Sequence, residues 1–183
     1  MNLRNILILL AFLLALGGYF YWSNIPEDRD PPTPQIFVWL IDMEEIQHIE
    51  IRLPNEDESQ SFIKKADRIW YFDDPQQSEV DIQRWGGGIP LILSGPGAAR
   101  VIAENATDED LTKFGLTQPQ MEILLTLNDG NTLNIKVGKR SPDGINYYVQ
   151  APRTNDVALV DYTWYGVLER LVKEPPYVLP EKD

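Results

Sequence analysis

The chain reads as an α+β protein: an N-terminal transmembrane helix followed by a mostly antiparallel sheet domain with a few short helices packed on it. Three observations predict this. Residues 6–22 form one uncharged apolar run. Beyond residue 36, short stretches alternate apolar and polar residues with the period of a strand. Helix-capping sequences occur there too, but each opens only a brief apolar stretch.

Composition bounds the problem before the elements are taken in order. With 183 residues, 43% apolar and 24% charged, the chain has room for one ordinary domain plus an appendage. The formal net charge is −12. Nucleic acid is excluded as a partner, because phosphate binding needs clustered Lys and Arg. Docking on anionic lipid through a polybasic patch is disfavoured for the same reason. There is no cysteine, and His48 is the single histidine. These two residue types supply most transition-metal ligands, so no metal site and no cofactor are expected.

Ile6 to Trp22 spans about 26 Å as a helix, and Leu3 to Asn5 with Ser23 extends it to roughly the 30 Å of a hydrocarbon core. Arg4 and the amino terminus lie on one side, and Glu27, Asp28 and Asp30 on the other. The positive-inside rule then expects the N-terminus in the cytoplasm and residues 24–183 outside it, on the periplasmic or extracellular side. Tyr19, Phe20, Tyr21 and Trp22 form an aromatic belt suited to a membrane interface. A cleaved signal peptide with Ala15-Leu-Gly17 as its cleavage site is the competing reading, and it places the domain on the same side. Ala11, Ala15 and Gly18 share a stripe on which another helix could pack closely, although Ala and Gly are also simply common in membrane helices.

The expected organisation is an anchor over 1–23, a linker over 24–35, an extracytoplasmic α+β domain over 36–177 and a tail over 178–183. Pro26, Pro31, Pro32 and Pro34 make the linker an extended, semi-rigid spacer. The domain opens with strand-like residues Ile36–Ile41. Ile46–Leu53 follows, with Ile49, Ile51 and Leu53 on one face and His48, Glu50 and Arg52 on the other. His48 therefore reads as a solvated or salt-bridged residue on the polar face of a strand. Asn55 to Glu58 is a charged loop whose spacing does not fit a calcium loop. Ser61–Lys65 and Arg68–Phe72 are the next strands.

Ser78-Glu-Val-Asp81 resembles a capping box opening a short helix, interrupted by Gly86 to Gly88, with Pro90 restarting or breaking the run Ile89–Leu93. The three glycines lack the Lys-Ser/Thr or G-x-G-x-x-G frame of a nucleotide loop. Ser94 to Gly97 is a turn before a strand at Arg100–Glu104, not a nucleophile elbow. Thr107 to Asp110 caps a helix of one or two turns that Gly115 ends, with Leu116 folding back and Pro119 preventing continuation.

Met121–Leu127 and Leu133–Val137 then form a hairpin whose register follows from its faces. Opposed residues share a side of the sheet, so the loop must have an odd number of residues. A three-residue loop Asn128-Asp-Gly130 pairs Leu125 with Leu133 and Ile123 with Ile135. Asn146–Gln150 and Asp156–Val160 make a second hairpin. A helix capped near Asp161, with Trp164, Leu168, Leu171 and Val172 on its apolar face, ends at Pro175-Pro176.

The stretch from Asp110-Leu through Gly115-Leu-Thr-Gln-Pro119, Val137-Gly138 and Ser141-Pro-Asp-Gly to Tyr147-Tyr148 resembles the bacterial domain-of-unknown-function family four-three-four-zero. The resemblance covers roughly residues 40–175. It implies an N-terminally anchored envelope protein, of a kind that sometimes occurs beside transporter components related to gliding-motility auxiliary proteins. It implies no catalytic residues. Gly86 to Gly88 and Pro90 depart from the family pattern, which has a continuous helix there.

Three functions are weighed on these grounds. The first is a non-enzymatic accessory subunit that associates with the lipid bilayer and other membrane-protein subunits of a transporter, photosynthetic or respiratory assembly. Trp39, Trp85, Tyr147 and Trp164 are the candidate partner contacts, although each also fits a core position. The second is an envelope domain that binds glycan or lipid with aromatics over a groove. The third is an enzyme using a carboxylate pair, but no pair stands out from the acidic surface, and enzymatic function is not expected.

Overall fold

The computed structural model describes residues 3–23, 35–86 and 88–178, without the side chains at positions 3, 6, 9 and 23. Gly87, the spacer except Gln35 and the tail beyond Val178 lie outside the described residues. The chain divides into two compact units, Met1–Pro34 and Gln35–Asp183.

The first unit holds α1 (Leu3–Ser23), a helix of 21 residues with no acidic residue in its first turn and no basic one in its last. Every described side chain on it is exposed, from Leu7 and Ile8 to Tyr21 and Trp22, so the helix is apolar on all sides. Among the described residues no helix is long and apolar enough to cross a membrane. The expected membrane span is therefore a reading of the sequence alone.

The second unit begins with β1 (Ile36–Phe37), then β2 (Ile46–Leu53), β3 (Glu58–Lys64) and β4 (Trp70–Phe72). Two short helices follow, α2 (Ile82–Trp85) and α3 (Ile89–Ser94), with β5 (Gly97–Ala98) and β6 (Arg100–Ala103). The remainder is α4 (Asp108–Lys113), β7 (Met121–Leu127), β8 (Thr132–Arg140), β9 (Asn146–Gln150), β10 (Val157–Asp161) and α5 (Tyr162–Lys173). Eight strands make one sheet in the order β4-β3-β2-β7-β8-β9-β10-β6, and all its pairings are antiparallel. The pair β1–β5 stands apart.

The register of β7 and β8 is the one their apolar faces demand. Leu125 opposes Leu133 and Ile123 opposes Ile135. The Leu127 N–H bonds to the Asn131 carbonyl at 2.8 Å, closing a three-residue loop with Gly130 at φ +81°. Central β2 joins β7 so that Ile49 meets Leu125 and Ile51 meets Ile123, all four fully buried. Helix α5 covers this face with Trp164, Tyr165, Leu168, Leu171 and Val172. Asp161 caps it by accepting from the Thr163 N–H at 2.8 Å.

On the opposite face, Phe114 and Leu116 of the α4 turn pack with Ala106 and Val157 and lie against β8 at Gly138. This second layer explains why Val157, Ala158, Leu159 and Val160 are all buried rather than alternating. Thr107 and Asp110 form the expected capping box, and Gly115 sits at φ +75° with the Leu116 N–H returning to the Leu111 carbonyl.

Three expectations need correcting. Residues 78–80 do not open a helix. They run extended, with Phe72 N–H on Ser78 C=O and Val80 N–H on Trp70 C=O, and Asp81 is the true cap, accepting from Gln83 and Arg84. Buried Val80 and the strand edge it satisfies outweigh the local capping pattern. The strand expected over Ile36–Ile41 stops at Phe37. Trp39 turns inward, donates its indole N–H to the Leu93 carbonyl at 2.9 Å and meets Trp164 edge-on at 6.3 Å. The strand expected from Arg68 starts at Trp70 because Arg68 occupies the left-handed region (φ 67°) of a turn closed by Asp67. Pro90 does restart a helix, at the first turn of α3.

Candidate functional surfaces

The residues that carry the family resemblance turn out to be folding devices. At Gly138 an added Cβ would lie 2.3 Å from the Phe114 carbonyl oxygen and 3.2 Å from the Gly115 carbonyl carbon. Only glycine lets the turn after α4 lie against β8, where Lys139 N–H bonds to Phe114 C=O at 2.8 Å. Ser141 and Asn146 are buried. The Ser141 hydroxyl donates to the Asn146 carbonyl (2.9 Å) and accepts the Asn146 N–H (3.1 Å), which staples the β8–β9 loop. The one hydroxyl proton is shared between that carbonyl and Asp143, and the Asp143 bond, with the Ile145 N–H, holds the Asp143 carboxyl below the usual range. Together these bonds close the turn between β8 and β9.

Tyr147 and Tyr148 point to opposite faces of β9. Tyr147 stacks on Tyr165 with centroids 4.2 Å apart, and Tyr148 stacks on Phe114 at 4.5 Å. The pair joins the α5 layer to the α4 layer through the sheet. Burial pushes the Tyr165 phenol up to about 12.

The four aromatics considered as partner contacts belong to the interior. Trp39, Trp85 and Trp164 are buried, and Tyr147 packs against the same core. Trp85 contacts Phe62 at 4.6 Å and Trp70 at 5.9 Å. Their indoles are large apolar groups with one polar atom, and the fold places that atom on a carbonyl for both Trp39 and Trp164. On α1, Ala11, Ala15 and Gly18 are exposed with open space around Gly18, and Tyr19, Tyr21 and Trp22 are exposed at the C-terminal end. His48 is half-buried and paired with Asp73 at 3.0 Å.

Two surfaces remain whose composition packing does not explain. The first lies beside α3. Phe37 and Leu40 reach over Gly95, whose hypothetical Cβ would be 3.4 and 2.8 Å from their side chains. Leu40 is 72% exposed and Leu91 61% exposed. Leu91 shares a hollow of about 290 Å³ with Met43 and Pro90. Glu44 borders it, held 2.9 Å from both Lys64 and Arg68. Hydrogen bonds from those two cations hold the Glu44 carboxyl below the usual range. The hollow thus mixes the charged Glu44, Lys64 and Arg68 with the apolar Met43, Trp70, Pro90 and Leu91.

The second surface is a polar groove of about 510 Å³ formed by Asn134 and Lys136 of β8, Gln150 of β9 and the loop residues Asn105, Arg153 and Asn155. Among the described residues no carboxylate lines it. Sequence reading missed both surfaces, because Leu40 looks like a buried strand residue and Lys136 like one half of a solvated face. Among the described residues no group of His, Cys, Asp and Glu could hold a metal ion.

Comparison with known proteins agrees with the resemblance read from the sequence. Residues 93–170 match the model described as Domain of unknown function (DUF4340). That interval spans α4 through most of α5 and contains Gly115, Gly138, Ser141, Tyr147 and Tyr148. No curated protein and no solved structure matches the chain.

Proposed function

We propose that this chain, which carries the DUF4340 match over residues 93–170, is a non-enzymatic, single-pass membrane accessory subunit whose extracytoplasmic domain docks on a partner membrane complex. The observation that carries the proposal is the exposed apolar face of Phe37, Leu40, Met43 and Leu91 beside α3. Large apolar side chains grouped in water cost free energy that a partner surface would recover, at about 25 cal/mol per Å² covered.

The position of that face in the chain names the kind of partner. Phe37, Leu40 and Met43 follow directly on residues 24–35, whose prolines limit the reach of the spacer to about 40 Å. A domain so tethered meets other proteins of the same membrane at high effective concentration. In this reading α1 is the anchor. Its apolar surface faces lipid on all sides, the small residues Ala11, Ala15 and Gly18 face a neighbouring helix, and Tyr19, Tyr21 and Trp22 sit at the interface. Arg4 keeps the N-terminus in the cytoplasm.

The test is purification of the full-length protein from its native membrane in mild detergent, with mass spectrometry of what accompanies it in near-stoichiometric amount. A defined set of membrane proteins, lost when Leu40→Asp and Leu91→Asp are combined, is the expected result. Recovery of the protein by itself would overturn the reading. Retention of the same set by the double variant would move the contact to α1, where Ala11, Ala15 and Gly18 would be changed to leucine next.

A further inference from the structure

The groove between β8, β9 and the β9–β10 loop has a chemistry at odds with the rest of the molecule. The chain carries a net charge of −12, yet among the described residues no carboxylate lines this groove and two cations do. Lys136 is half-buried on β8, and Arg153 stands in the loop between β9 and β10. Among the described residues neither makes an ion pair, whereas Arg52, Lys64, Arg68 and Lys173 all do. Glu122 of β7 stands opposite Lys136 in the β7–β8 register, Asp129 acts electrostatically on Arg153, and Asp156 accepts the Asn105 N–H, but none of these three carboxylates is among the described residues that line the groove.

The other polar groups are side-chain amides. Asn134 follows the same face as Lys136 at i, i+2, and Lys136 stands opposite Gln150 in the β8–β9 register. Gln150 donates to Asn155 at 3.1 Å across the loop, which orients both amides. Amides donate and accept, so they complement hydroxyls, while Lys and Arg complement carboxylates. The volume, about 510 Å³, lies within the range of small-molecule sites.

Arg153 holds φ +68°, a left-handed conformation also taken by Asp57, Arg68, Gln77 and Asn105. A glycine there would relieve the steric cost of the Cβ, so the side chain can be removed without straining the loop.

We propose that this groove binds an acidic saccharide, with Arg153 and Lys136 on the carboxylates and Asn134, Gln150 and Asn155 on the hydroxyls. A neutral sugar is the poorer fit, since no aromatic ring lines the groove to stack on a sugar face. The site is distinct from the apolar face beside α3 and stands or falls without it.

The experiment is calorimetric titration of the full-length protein, in a detergent without a sugar headgroup, with trigalacturonate, maltotriose and inorganic phosphate. Trigalacturonate is expected to bind, and maltotriose and phosphate each at least about tenfold more weakly. Lys136→Gln and Arg153→Gln should each weaken trigalacturonate binding about tenfold or more. Arg153→Gly should lose the same binding while melting at or above the parent temperature, which separates the side chain's role from folding. Should Lys136→Gln fail to fold, Arg153→Gly decides. The proposal is overturned if trigalacturonate does not bind, if the Arg153 variants bind it like the parent, or if phosphate binds as tightly.

Discussion

Two regions of the same domain treat their large apolar side chains in opposite ways. Around the α4 turn and β9, Phe114, Leu116, Tyr147 and Tyr148 are each matched to a partner, and polar Ser141 and Asn146 are closed on each other. Around α3, Phe37, Leu40, Met43 and Leu91 are presented to solvent. The first region contains Gly115, Gly138, Ser141, Tyr147 and Tyr148 of the family resemblance, each placed in a turn, a close approach or a ring stack. The second lies largely outside the matched interval and carries the feature that folding leaves unexplained. A family resemblance can therefore be specific about architecture and silent about activity, because its residues are used up in holding the chain together.

The contrast can be broken by substitution, and the largest effect is expected at Gly138. Alanine there forces its Cβ into the Phe114 carbonyl, a backbone atom that cannot rotate away. Gly138→Ala should lower unfolding free energy by about 3 kcal/mol in denaturant titrations followed by tryptophan fluorescence. A change below about 1 kcal/mol would show that the α4 turn does not need its close seat on β8.

Next comes alkaline pH. Tyr165 is held near 12 in the folded chain against an ordinary value of 10. The unfolded chain releases this proton first, so the stability contribution is intact below about pH 10 and is lost as pH rises toward about 12. Between those values the protein should lose about 1–2 kcal/mol that Tyr165→Phe does not lose. Parallel pH profiles for the two proteins would refute the buried phenol. Thr107→Ala removes the hydroxyl that accepts the Asp110 N–H and should cost about 1 kcal/mol, read as a lower melting temperature. The smallest stability effect is expected at the exposed face. Leu40→Asp with Leu91→Asp should stay within about 0.5 kcal/mol of the parent while eliminating the partner. A large loss of stability there would make the face part of the core after all.

Much of the domain was legible in the sequence where local rules and tertiary demands coincide. The β7–β8 register followed from counting faces across a loop containing Gly130. The Thr107 box, the Gly115 terminus and the Asp161 cap are each a hydrogen bond between residues within a few positions of one another. Ser78 failed as a cap because a strand edge formed by residues at 70–72 claimed its carbonyl and the Val80 N–H. Trp39 looked like a strand residue because nothing near it reveals that the Leu93 carbonyl and the Trp164 ring will come to meet it.

The sequence by itself determined the α+β class, the apolar N-terminal helix, the hairpins, the caps and an acidic composition with one histidine and no cysteine. Tertiary structure alone decided that β2 lies against β7, that Trp39, Trp85 and Trp164 are interior and that Leu40 and Leu91 are not. It also gathered Lys136, Gln150 and Arg153 into one groove. The physical reason is range: periodicity and capping act over a few residues, whereas burial and the convergence of side chains depend on contacts between segments far apart in the chain.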